Sequence, residues 1–154
     1  VELSDTDRIR NLLGRYCECI DAGDFDGVGL LFAHGTLAGG EGEPFASGAT
    51  EVAAFYRATT QLHQGRPGTK HLVVDTVFET PDLDGTVEVR SSYVVLQQVG
   101  TGALQPIITG RYVDRFGRDV DDDWCFRERR FFVDLVGDLS QHLADPSLAR
   151  MRED

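Results

Sequence analysis

LQPIITGRYVDRFGRDVDDDWCFRERRFFVDLV, residues 104–136, is the stretch that decides the fold. It holds two long runs, Leu104 to Phe116 and Trp124 to Val136, with a turn signal at Gly117-Arg118-Asp119 between them. Their β-branched and aromatic residues suit the pleated, half-buried surface of a strand. Alternation predicts Ile108, Gly110, Tyr112 and Asp114 on one face of the first strand, and Trp124, Phe126, Glu128, Arg130 and Phe132 on one face of the second. Charged residues among aromatics there either line a polar pocket or form cross-strand ion pairs on a solvated face, so Glu128 stands between a pocket acid and a partner for Arg111 or Arg115. Asp119 to Asp123 contains four aspartates without the spaced ligands of an EF-hand, and reads as a solvated turn.

Working back towards the N-terminus, His71 to Phe78 and Thr86 to Val99 are two further β-type runs, separated by Pro81-Asp82-Leu83-Asp84-Gly85. Before them the period changes to that of helices. Ser4 is placed to cap a helix, with Asp7 as the capping-box partner and Leu3 as a staple, and Ile9, Leu12, Leu13, Tyr16 and Ile20 follow at helical spacing. Gly23 ends this helix, and Asp24 caps a short second one through Phe32. A glycine-rich stretch from Gly35 to Gly48 contains a short strand at Thr36-Leu37-Ala38, and a third helix runs from about Ala49 to His63. Three helices followed by four long strands is an α+β pattern with a strongly curved antiparallel sheet.

Two residues carry the candidate chemistry. Asp21 lies at the C-terminal end of the first helix, four residues after Cys17 and so at the edge of its apolar stripe, and His71 opens a strand fifty residues later. A carboxylate that orients an imidazole makes a general base near neutral pH, the device of lyases, dehydratases and isomerases. Phe55, Tyr93, Tyr112 and Trp124 are candidates for an aromatic pocket wall, and Tyr16 for a further substrate contact.

Composition bounds the rest. The 154 residues suit one domain, with a core from about residue 4 to 143 and a tail from 144 to 154. With 26 acidic and 15 basic residues the net charge is −11, which disfavours nucleic acid and anionic membranes as partners. No apolar run approaches the roughly 18 residues that span a bilayer, and the first residues lack a signal-peptide pattern. Cys17, Cys19 and Cys125 are an odd set with no zinc-ligand spacing; they read as reduced thiols of a cytoplasmic protein, without a metal site. Nucleotide-binding glycine motifs and a nucleophile elbow are absent from the sequence. A sheet face carrying Ile107, Val113, Phe131, Val133 and Leu135 needs cover, which points to a homo-oligomer, trimer or dimer.

The helix end Ile-Asp-Ala-Gly-Asp-Phe-Asp, the strand start Lys-His-Leu-Val-Val-Asp, the strand Gly-Arg-Tyr-Val-Asp-Arg-Phe and the closing Trp-Cys-Phe-Arg-Glu-Arg-Arg together resemble the SnoaL-like group of the nuclear transport factor 2 superfamily. The resemblance covers about Ser4 to Leu143. It implies a cone-shaped curved antiparallel sheet closed by three N-terminal helices around a pocket, a cystatin-like α+β roll. It also implies polyketide- or steroid-type chemistry on a small hydrophobic cyclic molecule without a cofactor, with Asp21 and His71 matching the Asp-His dyad of the dehydratase and dehydrochlorinase branches. Scytalone dehydratase has a second strand histidine, whereas His34, His63 and His142 fall outside the expected strand. The dehydrochlorinase has basic residues near the positions of Tyr16 and of Glu128 and Arg129, and the Asp-Arg-Asp set of the epoxide hydrolase branch is disfavoured by a histidine at 71. The alternative implied by the same group is a non-catalytic binding or assembly subunit like the β subunits of ring-hydroxylating dioxygenases. A cavity of roughly 300 Å³ or more reaching His71 separates the two readings.

Overall fold

Ser4 opens the first helix as its sequence requires. In the computed structural model, which describes residues 1–145 and 147, the Asp7 amide donates to Ser4 Oγ and the Ser4 amide donates to Asp7 Oδ2, both at 3.2 Å. This reciprocal box starts α1 (Asp5–Ala22), which buries Ile9, Leu13, Tyr16 and Ile20 along one stripe. Gly23 ends it with φ +74°, a left-handed conformation that favours glycine, and a Cβ there would lie 2.8 Å from the Gly65 carbonyl oxygen. The Asp24 side chain then accepts from the Gly27 amide and caps α2 (Phe25–Leu31).

Two short strands follow, β1 (Thr36–Gly39) and β2 (Pro44–Ser47), and then α3 (Gly48–Thr59). The long strands are β3 (Thr69–Phe78), β4 (Val87–Gln97), β5 (Gln105–Arg118) and β6 (Trp124–Val136). They join in one six-stranded sheet of order β2-β1-β6-β5-β4-β3. Neighbours are antiparallel except β1 and β6, which run parallel, so the sheet is mixed rather than wholly antiparallel. It does not close into a barrel, since β2 and β3 are its edges. The four residues of β2 are too few to show a period in the sequence, and α3 ends at Thr59 rather than near His63.

Strand β4 alternates strictly, with Val87, Val89, Ser91, Tyr93, Val95 and Gln97 buried. β6 does not. Arg115 pairs with Glu128 while Phe116 pairs with Phe126, so Arg127 is an extra residue, a bulge that flips the parity of the residues after it as far as Val133. Phe126 and Arg129 therefore share the inner side, and the single face expected for Trp124, Phe126, Glu128, Arg130 and Phe132 does not exist. A second bulge leaves Asp134 unpaired, because Thr109 pairs with Leu135 and Gly110 with Val133. The expected outer patch of Ile107, Val113, Phe131, Val133 and Leu135 is not one face: Ile107 of β5 is buried, Val113 is half-buried beside Glu128 and Arg130, Phe131 and Val133 line an interior cavity, and Leu135 is exposed. The tail beyond Leu139, expected by the family resemblance to help bury an oligomer interface, lies outside the described residues at 146 and from 148 on.

Candidate active site

Asp21 sits in the last turn of α1, where a negative charge opposes the helix dipole. The start of β3 supplies the compensation. Asp21 accepts hydrogen bonds from Thr69 Oγ1 at 2.8 Å, from the His71 amide at 2.9 Å and from His71 Nδ1 at 2.6 Å. Burial pushes the carboxyl up, but the hydrogen bonds and charge of His71, helped by Thr69, outweigh it and hold Asp21 below its ordinary range. An ionised acceptor on Nδ1 requires the proton there, which leaves His71 Nε2 as the basic nitrogen available to the cavity that His71 lines. Both side chains are largely buried, 14% exposed for Asp21 and 7% for His71, so their attraction is little screened.

The cavity has a volume of about 480 Å³ and lies between α1, α3 and the concave face of β4, β5 and β6. Ile20, Phe45, Phe55, Val95, Ile108 and Leu143 give it apolar walls, and Tyr16, Tyr56, His71 and His142 bring polar atoms to it. Tyr16 and Tyr56 hydroxyls are 2.7 Å apart. Burial raises both above the usual phenol range, so they are neutral hydrogen-bond donors rather than bases. The Tyr16 ring stands edge-on to His71, centroids 6.3 Å apart. Tyr93 stacks on Tyr112 with centroids 4.4 Å apart, an arrangement that needs glycine at 110, since a Cβ there would meet the Tyr93 hydroxyl at 2.5 Å and the Phe132 carbonyl oxygen at 1.9 Å.

Beneath the tyrosines lies a buried ion pair. Arg129 donates from Nε and Nη2 to the two oxygens of Asp114, each at 2.8 Å, and both side chains are 0% exposed. The guanidinium carbon is 3.8 Å from the Tyr112 ring centroid and 4.3 Å from that of Tyr16. Desolvation, which alone would weaken the cation, is outweighed by Asp114, and Arg129 stays charged. Burial raises the Asp114 carboxyl despite Arg129.

Of the residues singled out in the sequence, Asp21, His71, Tyr16, Phe55, Tyr93 and Tyr112 meet at this cavity or directly beside it. Two do not. Glu128 faces the other side of the sheet, paired to Arg130 on its own strand at 2.8 Å rather than to Arg111 or Arg115. Trp124 stands in a wider groove of about 720 Å³ at the far end of the sheet, its Nε1 donating to Asp5 at 2.9 Å and its ring covered by Arg118. That groove is larger, but its charged side chains Asp5 and Arg118 satisfy each other, and it holds no oriented acid–base pair. Among the polar residues of the cavity, Tyr56, one of the aromatic side chains of α3, and His142, set in a segment without period, carry no sequence signal of their own. Cys17 is half-buried with its thiol pushed up to about 11, mainly by desolvation, so it is no nucleophile at neutral pH. Among the described residues no group of three or more His, Cys, Asp and Glu side chains is placed to hold a metal, and no helix is long and apolar enough to cross a membrane.

Sequence comparison matches the SnoaL-like domain over residues 1–130. The chain belongs to the SnoaL-like domain family. No curated protein sequence matches it. Among solved structures, ActVI-ORFA from Streptomyces coelicolor is similar with a TM-score of 0.68 and 18% identity, over 82% of this chain and 95% of its own. A Mycobacterium tuberculosis protein of unknown function has a TM-score of 0.66 at 24% identity, over 94% and 82%. A putative scytalone dehydratase from Novosphingobium aromaticivorans has a TM-score of 0.66 at 16% identity, over 87% of each chain. At these identities the SnoaL-like chain shares a fold with them, and an NTF2-like protein with a cystatin-like fold from the same Novosphingobium species also matches it.

Proposed function

We propose that this SnoaL-like protein is a cofactor-independent lyase or isomerase of the dehydratase type, acting on a small hydrophobic cyclic ketone. The observation that carries this is the Asp21–His71 hydrogen bond at the wall of a cavity large enough for a two-ring molecule. His71 Nε2 takes a proton from the carbon α to the carbonyl, and the C–H electron pair moves into an enolate. Asp21 stabilises the imidazolium, and one hydroxyl hydrogen of the Tyr16–Tyr56 pair is free to meet the enolate oxygen. Collapse of the enolate expels a β-hydroxyl group, which leaves as water with the proton returned by His71. In an isomerisation the imidazolium returns the proton to another carbon instead. Dehydration is also the reaction named for one of the structural neighbours.

The cavity also bears on the assembly-subunit reading. A pocket filled by side chains would have favoured it, whereas about 480 Å³ reaching His71 supports the enzyme. The test is elimination of water from 3-hydroxy-1-tetralone, whose product 1-naphthol is fluorescent, at neutral pH without added metal. Acceleration over the spontaneous reaction is expected. No acceleration with any of a panel of cyclic β-hydroxyketones and β,γ-unsaturated ketones would return the binding or assembly role to first place.

Cytoplasmic residence fits the three unpaired cysteines. We further propose a homo-oligomer, dimer or trimer. The basis is now edge strand β3, where Leu72, Val74 and Val77 are 39–46% exposed. Light scattering at micromolar concentration should give a multiple of 17.0 kDa, and a monomer mass would refute assembly.

A further inference from the structure

The irregular segment after β6 returns to the cavity and is fastened there. The Gln61 amide donates to the His142 carbonyl at 2.8 Å, and Gln61 Nε2 donates to the carbonyls of Ser140 and Leu143 at 2.8 and 2.7 Å. The Ala144 amide donates to the Thr59 carbonyl at 2.9 Å, and Gln97 Nε2 to the Gln141 carbonyl at 3.0 Å. These bonds fix the backbone on both sides of His142. Its ring is left uncommitted: it lines the cavity 6.5 Å from the His71 ring, centroid to centroid, and its Nδ1 is buried with no hydrogen-bond partner among the described residues. A buried polar atom without a partner is costly, and a leucine at that position would avoid the cost. Burial first, and then the neighbouring His71, push the ring down to about 4, with Asp21 opposing only in part. At neutral pH it therefore offers one N–H and one lone pair.

We propose that His142 is a ligand-binding residue whose imidazole hydrogen-bonds a substrate hydroxyl oxygen lying between it and His71, so that the pocket selects cyclic ligands bearing a hydroxyl over bare hydrocarbons. One hydroxyl oxygen that donates one hydrogen bond and accepts another, each of about 2.8 Å, bridges nitrogens up to about 5.6 Å apart, which suits two tilted rings at this separation. A hydroxyl donates to His71 Nε2 and accepts from His142, whereas a hydrocarbon leaves both nitrogens bare. The inference rests on the cavity being the ligand site and not on elimination taking place there.

Calorimetric titration with 2-naphthol and naphthalene tests it on the whole protein, with thermal melts to verify folding. Wild type should bind 2-naphthol at least about tenfold more tightly, the usual worth of a neutral hydrogen bond. His142→Phe should lose about tenfold for 2-naphthol and stay within about twofold for naphthalene, while His142→Asn keeps most of the preference. In wild type itself, the imidazole nitrogen resonances of His142 should move on addition of 2-naphthol and not of naphthalene, a readout independent of whether a variant folds. No binding of 2-naphthol, equal affinity for the two probes, or equal losses in His142→Phe would overturn the proposal. Such a result would leave proton abstraction by His71 standing, and a protein that selects 2-naphthol in this way yet never eliminates water would retain only the binding role.

Discussion

His71→Ala lowers turnover of a cyclic β-hydroxyketone by about 10²–10⁴-fold, the contribution expected of a positioned general base. The loss falls on kcat more than on KM, because the imidazole acts in proton transfer while the apolar walls and tyrosines hold the ring. Asp21→Asn impairs the same step by up to about 10⁴-fold, since an amide can no longer stabilise the imidazolium and can hold the wrong tautomer. The Asp21 carboxyl, held below its ordinary 3.8 chiefly by the hydrogen bonds and charge of His71, does not titrate near neutral pH. A depressed carboxyl instead contributes stability above the unfolded value near 3.8 and loses it as pH falls through the folded value, so Asp21→Asn should flatten the acid limb of the unfolding profile below about pH 4. A His71→Ala enzyme with full activity, or an activity abolished by chelation, would eliminate this mechanism.

The residues that meet at this site differ in how well their sequence announced them. Asp21 and His71 were legible because each sits at an element boundary with its own signal, Gly23 ending α1 and the β-branched run after His71 opening β3. Glu128 was not, because alternation counts by twos and Arg127 breaks the count: one bulged residue sends the side chains from Glu128 to Val133 to the opposite face, Glu128 outwards and Arg129 inwards. Nothing local to Trp-Cys-Phe-Arg-Glu-Arg-Arg marks which residue bulges. The parallel β1–β6 pair was hidden for a different reason, since strand pairing over ninety residues is a tertiary fact and β1 has only four residues. His142 carries no period at all. It is placed by side chains from elsewhere, Gln61 and Gln97, each of which reads as an ordinary polar residue in its own segment.

Asp114→Ala should destabilise the protein by about 3–5 kcal/mol, the cost of leaving a buried charge without its partner. Arg129 is fully buried, both of its bonds to Asp114 would be lost, and its Nη1 already lacks a partner among the described residues. The rings of Tyr16, Tyr112 and Phe126 around the guanidinium ease the cation but accept no substitute for the two 2.8 Å bonds. For a chain of this size the loss corresponds to a fall in Tm of roughly 6–20 °C. The double variant Asp114→Leu with Arg129→Met should be more stable than Asp114→Ala alone, because apolar side chains remove both desolvation costs together. A Tm within about 2 °C of wild type for Asp114→Ala would show that Arg129 finds another anion or water. The double variant also separates stability from function. If it folds well yet binds a two-ring ketone more weakly, then the ion pair serves the cavity by holding the Tyr16 and Tyr112 rings in place from below, and its burial is explained by the site rather than by the core.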